Sequence, residues 1–151
     1  LGEVRLDAQR QILVFSVGDH QYAMDILHLR EVGRLPQIEP EPGAPEGVLG
    51  VARLHGQPVR VLELARRLGV HARAAIPTGG HRPWLIVSRG EHGDDHWLVD
   101  AVQDIVEYNP TLVRDGAGGA TEERRTAGLI EIEGRLTYLL TPDLLTGGGP
   151  P

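Results

Sequence analysis

Apolar positions in this chain recur at strand period, in short runs cut by glycine turns. Residues 12–17, Ile-Leu-Val-Phe-Ser-Val, form a β-type run that stops at the turn signal Gly18-Asp19. Residues 21–26, Gln-Tyr-Ala-Met-Asp-Ile, then alternate between polar and apolar, which predicts a hairpin. The pattern returns downstream as Trp84-Leu-Ile-Val-Ser88, a turn through Gly90-Glu-His-Gly-Asp-Asp95, and a second strand over 96–102.

A second kind of hairpin also occurs twice. Gly50-Val-Ala-Arg-Leu-His-Gly56, followed by Gln-Pro-Val-Arg-Val-Leu-Glu-Leu64, is echoed 78 residues later by Gly128-Leu-Ile-Glu-Ile-Glu-Gly134, followed by Arg-Leu-Thr-Tyr-Leu-Leu-Thr-Pro142. Asp25 and Asp100 hold matching places near strand ends, 75 residues apart. Self-similarity at a fixed offset marks a duplicated unit. Each half therefore reads as a hairpin, a connecting stretch, a Gly-x5-Gly hairpin and a short helical turn. The first turn, Leu64-Ala-Arg-Arg-Leu68, stops at Gly69, a residue suited to the left-handed position after a helix. In the second, Thr141 can cap a turn opened by Pro142.

Short strands spaced by turns predict an all-β fold of two small antiparallel barrels, five strands each, over about 12–70 and about 84–145. A barrel of about 60 residues is marginal alone. The two are expected to pack their apolar faces into one core, leaving a groove along the seam. The connecting stretches 36–47, 71–83 and 114–126 belong at the surface. Disorder is expected in the last of these, and a flexible tail over 146–151. The lack of an initiator Met and the Gly-Gly-Gly-Pro-Pro ending fit a domain excised from a larger signalling protein.

Composition narrows the function classes. With no cysteine, a disulfide framework, a thiolate nucleophile and a Cys-based zinc site are all excluded. No apolar run approaches the roughly 20 residues that span a bilayer, so a cytoplasmic chain without direct membrane insertion is expected. The net charge of −6 argues against nucleic acid, which needs clustered cations to displace counterions. All fifteen basic residues are Arg, read as a composition bias rather than a site.

Candidate chemistry is thin. His92-Gly-Asp-Asp-His96 offers His92, Asp94, Asp95 and His96 as metal ligands. It lies in a turn, where a solvated loop is the first reading and a metal-dependent enzyme or sensor the remote one. Ser16 and Ser88 lack a nucleophile-elbow context, and with no Lys there is no Walker-type phosphate loop. Trp84, Trp97 and Tyr138 fall in apolar strands and read as core or seam residues rather than stacking platforms. No enzyme and no cofactor is expected.

Taken in order, the segments resemble the CheW-like domain of bacterial chemosensory systems. They are Phe15-Ser-Val-Gly-Asp-His-Gln-Tyr-Ala-Met-Asp-Ile26, Arg30-Glu-Val32, Pro45-Glu-Gly-Val-Leu-Gly-Val51, Leu98-Val-Asp-Ala-Val-Gln-Asp-Ile-Val106 and the Gly128–Leu136 hairpin with Leu139 and Leu140. The resemblance runs from Ile12 to Leu145 and identifies the chain as a divergent member, one CheW-like domain over 1–145. It implies two intertwined SH3-like barrels. It also implies a non-enzymatic adaptor that couples a chemoreceptor's cytoplasmic helical hairpin to the regulatory domain of a CheA-type histidine kinase, recruited to receptor arrays. An accessory adaptor that binds one partner only is the alternative.

The family's receptor-facing positions fall on Leu29 and Glu31, on the turn residues Arg53 and His55, and on Val102. The family turn is Asn-Leu-Arg-Gly, whereas this chain has Arg53-Leu-His-Gly56. The family's fixed cation can pair with a carboxylate at the Glu31 position; a histidine, ordinarily near pKa ~6.5, is mostly neutral at pH 7. Arg53 can supply the charge instead, displaced by roughly 6–7 Å. Pro58 and Arg60 also depart from the pattern, and the edge they lie on is the expected kinase contact.

Overall fold

In chain order the strands are β1 (Arg10–Val17), β2 (His20–Asp25), β3 (Leu29–Arg34), β4 (Ile38–Glu39), β5 (Val48–Leu54) and β6 (Gln57–Glu63), then β7 (Trp84–Ser88), β8 (Asp95–Val99), β9 (Ala101–Tyr108), β10 (Gly128–Ile132) and β11 (Arg135–Leu140). Two one-turn helices, α1 (Leu64–Leu68) and α2 (Pro142–Thr146), follow the two Gly-x5-Gly hairpins. The computed structural model describes residues 10–70, 83–115 and 126–146. Most of the 71–83 and 114–126 stretches, and the tail from 147, lie outside these.

The fold is all-β and built of two SH3-like β units. Their composition corrects the expected division into contiguous halves. One sheet has the order β10-β11-β2-β1-β9 and the other β3-β7-β8-β6-β5-β4, so each draws strands from both halves of the chain. The leading hairpins are exchanged: β1–β2 joins the second Gly-x5-Gly hairpin, and β7–β8 joins the first. Each junction is a parallel pair, β11 with β2 and β6 with β8. The sheets are therefore not purely antiparallel, and the second has six strands once the two-residue β4 is counted. Parallel neighbours need long crossovers, which the exchange between halves supplies. The strand expected over 96–102 breaks at Asp100, where the chain leaves one sheet for the other.

Strand period explains how two such small sheets are stabilised. Along β1, Ile12 and Val14 pack with Ala23, Tyr108, Ile130 and Leu139 inside the first unit. Leu13, Phe15 and Val17 point the other way, into a core shared with Ile86, Trp97 and Val99 of the second sheet. The second unit has its own interior, with Leu85, Val87 and Leu98 against Leu35, Ala52 and Val61. Strands buried on both faces read as continuous apolar runs, as β1 and β7 do. Both helical turns plug the shared core, through Leu64, Ala65 and Leu68 and through Leu145.

The glycine repeat has two separate causes. Its second members close two-residue hairpin turns: His55 and Gly56 have φ of 52° and 81°, Glu133 and Gly134 50° and 79°, the type I′ pattern that suits strand twist. Its first members sit where another backbone crosses. A Cβ on Gly50 would fall against the Glu39 carbonyl oxygen and 2.6 Å from Ile38 Cγ2, while one on Gly128 would lie 2.5 Å from Val113 Cγ1. Gly50→Ala is expected to cost about 1–3 kcal/mol by overpacking, read in thermal melts. Gly33→Ala, with nothing within 4 Å of the added carbon, is the neutral control.

Candidate functional site

The expected receptor positions begin at β3, whose pairing with β7 slips between Leu29 and Glu31: Leu29 faces Ser88 and Glu31 faces Val87. Residues two apart in a regular strand share a face; a bulge at Arg30 sends these two to opposite faces. Leu29 consequently packs on the shared core, as Val32 does. Glu31 takes the other face, toward the β5–β6 turn.

There the histidine meets it. His55 Nε2 lies 2.8 Å from Glu31 Oε1 and 3.0 Å from Oε2. A carboxylate only accepts, so Nε2 carries the donating proton. Both side chains remain open to solvent, 72% and 36% exposed. The contact joins β3, at one end of the strand order, to the β5–β6 hairpin near the other, so the sheet is curled back on itself. Arg53 is not the substitute cation: its pair across the hairpin is Pro58, and it forms no ion pair among the described residues. Its neighbours in a cleft of about 340 Å³ are Pro36, Gln37, Glu39, Val51 and Pro58.

Val102 lies on β9 opposite Phe15 and packs on the same shared core as Leu29. Sequence reasoning missed two exposed apolar residues that extend this surface. Leu27, 69% exposed, lies in the one-turn 3-10 segment Ile26–His28 directly before Leu29. Ile105, 49% exposed, pairs with Leu13 and so shares the Val102 face across a bulge at Gln103. The triplet Leu27-His-Leu29 carried a signal for the first; nothing in the alternation marked the bulge.

Of the metal-like cluster, Asp94, Asp95 and His96 stay within electrostatic reach of one another. Asp94 Oδ2 is bound by Arg30 Nε at 2.9 Å, which ties the β7–β8 turn to the β3 bulge. No group of three or more His, Cys, Asp or Glu among the described residues is placed to hold a metal. His96 lies across Val87 from Glu31. Burial pushes its pKa below the ordinary value, against the pull of Asp94, Asp95 and Glu31. Burial likewise pushes the Asp95 carboxyl up, opposed by His96 and Arg67 and aided by Asp94.

A histidine depressed in the folded chain binds fewer protons than in the unfolded one, so stability falls as pH drops through the ordinary histidine range. Asp95 acts oppositely, gaining stability on acidification between its ordinary value and its raised one. The windows differ, so His96→Gln is expected to lose less stability than wild type between about pH 7.5 and about pH 5.5, measured by urea midpoints at fixed salt. An equal loss in both proteins would contradict this.

On the expected kinase edge, Arg60 is already engaged. Its Nε and Nη2 bind Glu41 Oε1 and Oε2 at 3.0 and 2.7 Å, and this pair raises the guanidinium pKa. With Arg66 and Glu46, it clips the proline-rich 40–47 loop onto β6 and α1. Pro58 is tolerated because Leu54 and Gln57 close the two-residue hairpin, leaving Arg53–Pro58 a pair without ladder bonds. Its missing N–H would point outward, where β8 pairs only with Leu62 and Glu63. A second surface went unread in the sequence: Leu112 and Leu136, 62% and 61% exposed, flank a groove beside the β10–β11 hairpin.

An exchanged pair of SH3-like units with exposed apolar and charged edges defines a protein-docking scaffold. The chain belongs to the CheW-like domain family, whose sequence model matches residues 11–147. It is 32% identical over 136 residues to the chemotaxis protein CheW of Rhizobium meliloti (strain 1021), covering 89% of this chain and 85% of the relative. The chemotaxis protein CheW of Thermotoga maritima is 26% identical over 138 residues, covering 88% and 85%. The crystal structure of the scaffolding protein TtCheW from Thermoanaerobacter tengcongensis superposes with a TM-score of 0.78 at 22% identity, over 90% of this chain and 86% of that one. The chain is a chemotaxis adaptor of the scaffold type.

Proposed function

We propose that this adaptor couples the cytoplasmic hairpin of a methyl-accepting chemoreceptor to the regulatory domain of a CheA-type histidine kinase, in the cytoplasm and without catalysis of its own. The observation that carries the receptor half is the Glu31–His55 pair, at 2.8 and 3.0 Å. It replaces the carboxylate–arginine pair that the family pattern leads one to expect, at the same two positions. The exposed Leu27 and Ile105, on the elements that carry Leu29 and Val102, add apolar positions suited to the apolar stripe of a helical hairpin. Arg53 lies apart from Glu31 and serves as a peripheral contact in this reading. No helix among the described residues is long and apolar enough to cross a membrane, in keeping with recruitment by a receptor.

For the kinase half, the outer edge of β6 around Pro58 and Arg60 is the proposed contact. The exposed Leu112 and Leu136 favour a second reading, in which the groove beside β10–β11 takes the kinase domain. Arg60→Glu and Leu136→Glu separate the two. Titration with the kinase regulatory domain is expected to show about a tenfold loss for Arg60→Glu, a rim charge reversal, and less than a twofold loss for Leu136→Glu. The opposite ranking would move the contact to the groove. Binding of neither partner at high micromolar concentration would sink the function.

A further inference from the structure

The chain passes between the sheets twice, and an aspartate pins each passage. Asp25, 6% exposed, ends β2 just before the crossover into β3. Its Oδ1 accepts the Leu27 N–H at 2.9 Å, capping the Ile26–His28 turn, and its Oδ2 accepts the Tyr108 hydroxyl at 3.0 Å. Arg10 Nη1 stands 3.8 Å away. Asp100 occupies the second crossover, between β8 and β9. Its Oδ2 accepts the Gly18 N–H at 2.6 Å, and its own N–H donates to the Ser16 carbonyl at 3.1 Å.

The arrangement is reciprocal. Asp25 reaches to Tyr108, at the far end of the strand that leaves the second crossover. Asp100 reaches back to the β1–β2 turn, in the hairpin that feeds the first. Leu29 and Glu31 follow one passage directly, and Val102 follows the other. These residues lie in strands of different sheets, so only the crossovers fix their relation through the chain.

We infer that Asp25 and Asp100 are positioning residues, which hold the two crossovers so that the receptor-facing stretches after them, Leu29 to Glu31 on β3 and Val102 on β9, keep one fixed relation. The inference rests on the receptor reading above. A carboxylate buried like Asp25 is costly to desolvate, and it ties the Leu27 turn, which lies outside the strand pairing, to Tyr108 at the end of β9. Its role is therefore the geometry of the passage rather than general cohesion.

The test uses the full chain, with Asp25→Ala, Asp100→Ala, their Asn counterparts and Tyr108→Phe. Asparagine keeps an acceptor for the backbone N–H, and its amide can donate to the tyrosine oxygen, so it should rescue. Amide hydrogen exchange is expected to speed up about tenfold, as loss of a charge-assisted bond implies, over 26–32 in Asp25→Ala and over 101–106 in Asp100→Ala. Other strands should keep their protection. Affinity for a synthetic coiled-coil hairpin carrying the host chemoreceptor's tip sequence should fall about tenfold with it. Affinity for the kinase regulatory domain should stay within about twofold, since additivity holds for distant sites. Should either alanine variant fail to fold, Tyr108→Phe, which removes one hydroxyl, is expected to give about a threefold change over 26–32 and in hairpin affinity.

Uniformly faster exchange across both sheets, or no recovery with asparagine, would reduce the aspartates to general structural residues and overturn the inference. Unchanged hairpin affinity despite local opening would overturn it too. A wild type that binds no hairpin strikes the receptor reading instead, visible before any variant is made, and removes the receptor role of the stretches the aspartates are inferred to position.

Discussion

Replacing Trp97 with alanine is expected to lower the unfolding free energy by about 3–5 kcal/mol, and to leave one transition rather than two. Trp97 is 1% exposed and lies in the shared core with Phe15, Tyr22 and Met24 of the other sheet. Its loss opens a cavity between the sheets and frees the Ser88 hydroxyl, which accepts from the indole N–H at 3.0 Å. Because the hairpins are exchanged, neither sheet can form from one half of the chain. Urea unfolding, followed by far-UV circular dichroism and by the fluorescence of the remaining Trp84, should give coincident curves shifted to lower denaturant. Separate midpoints for the two probes would show that the shared core does not couple the sheets.

Glu31→Arg is expected to weaken binding of the receptor hairpin at least about 30-fold, roughly 2 kcal/mol, the range for disrupting a paired interfacial charge. The change sets a cation against His55 and removes the acceptor that holds the turn. Stability should move by less than about 1 kcal/mol, because the pair is exposed. His55→Arg should act in the other direction and strengthen binding several-fold, since a guanidinium is always charged and fits a carboxylate two-pronged. Isothermal titration at low and at physiological salt checks both, the arginine variant showing the steeper salt dependence. Equal affinities for wild type and Glu31→Arg would separate this site from the receptor.

What could be read from the sequence were local periods. The two kinds of hairpin, the glycine spacing and the helical turns ending at Gly69 and opening at Pro142 all depend on neighbouring residues, and all are present. The exchange of hairpins was not readable in the same way. Strands β1 and β7 are apolar on both faces, so the pattern does not say which hairpin joins which sheet, and contiguous halves were the simpler expectation. The bulges at Arg30 and Gln103 were equally silent, for each depends on a partner strand rather than on its own residues. That is why neither the opposite facing of Leu29 and Glu31 nor the place of Ile105 beside Val102 was legible. The sequence marks His55 as the loss of a fixed cation; that its ring meets Glu31 depends on the turn, with φ 52° at His55, and on the bulge at Arg30.

A single chain that holds two partners at once is the centre of the proposed function. Sedimentation velocity of wild type mixed with the receptor hairpin and the kinase regulatory domain tests this most directly. A three-component species, sedimenting faster than either pairwise complex and lost in Glu31→Arg, is the predicted result. Mutually exclusive pairwise complexes, or a complex with one partner only, would contradict it.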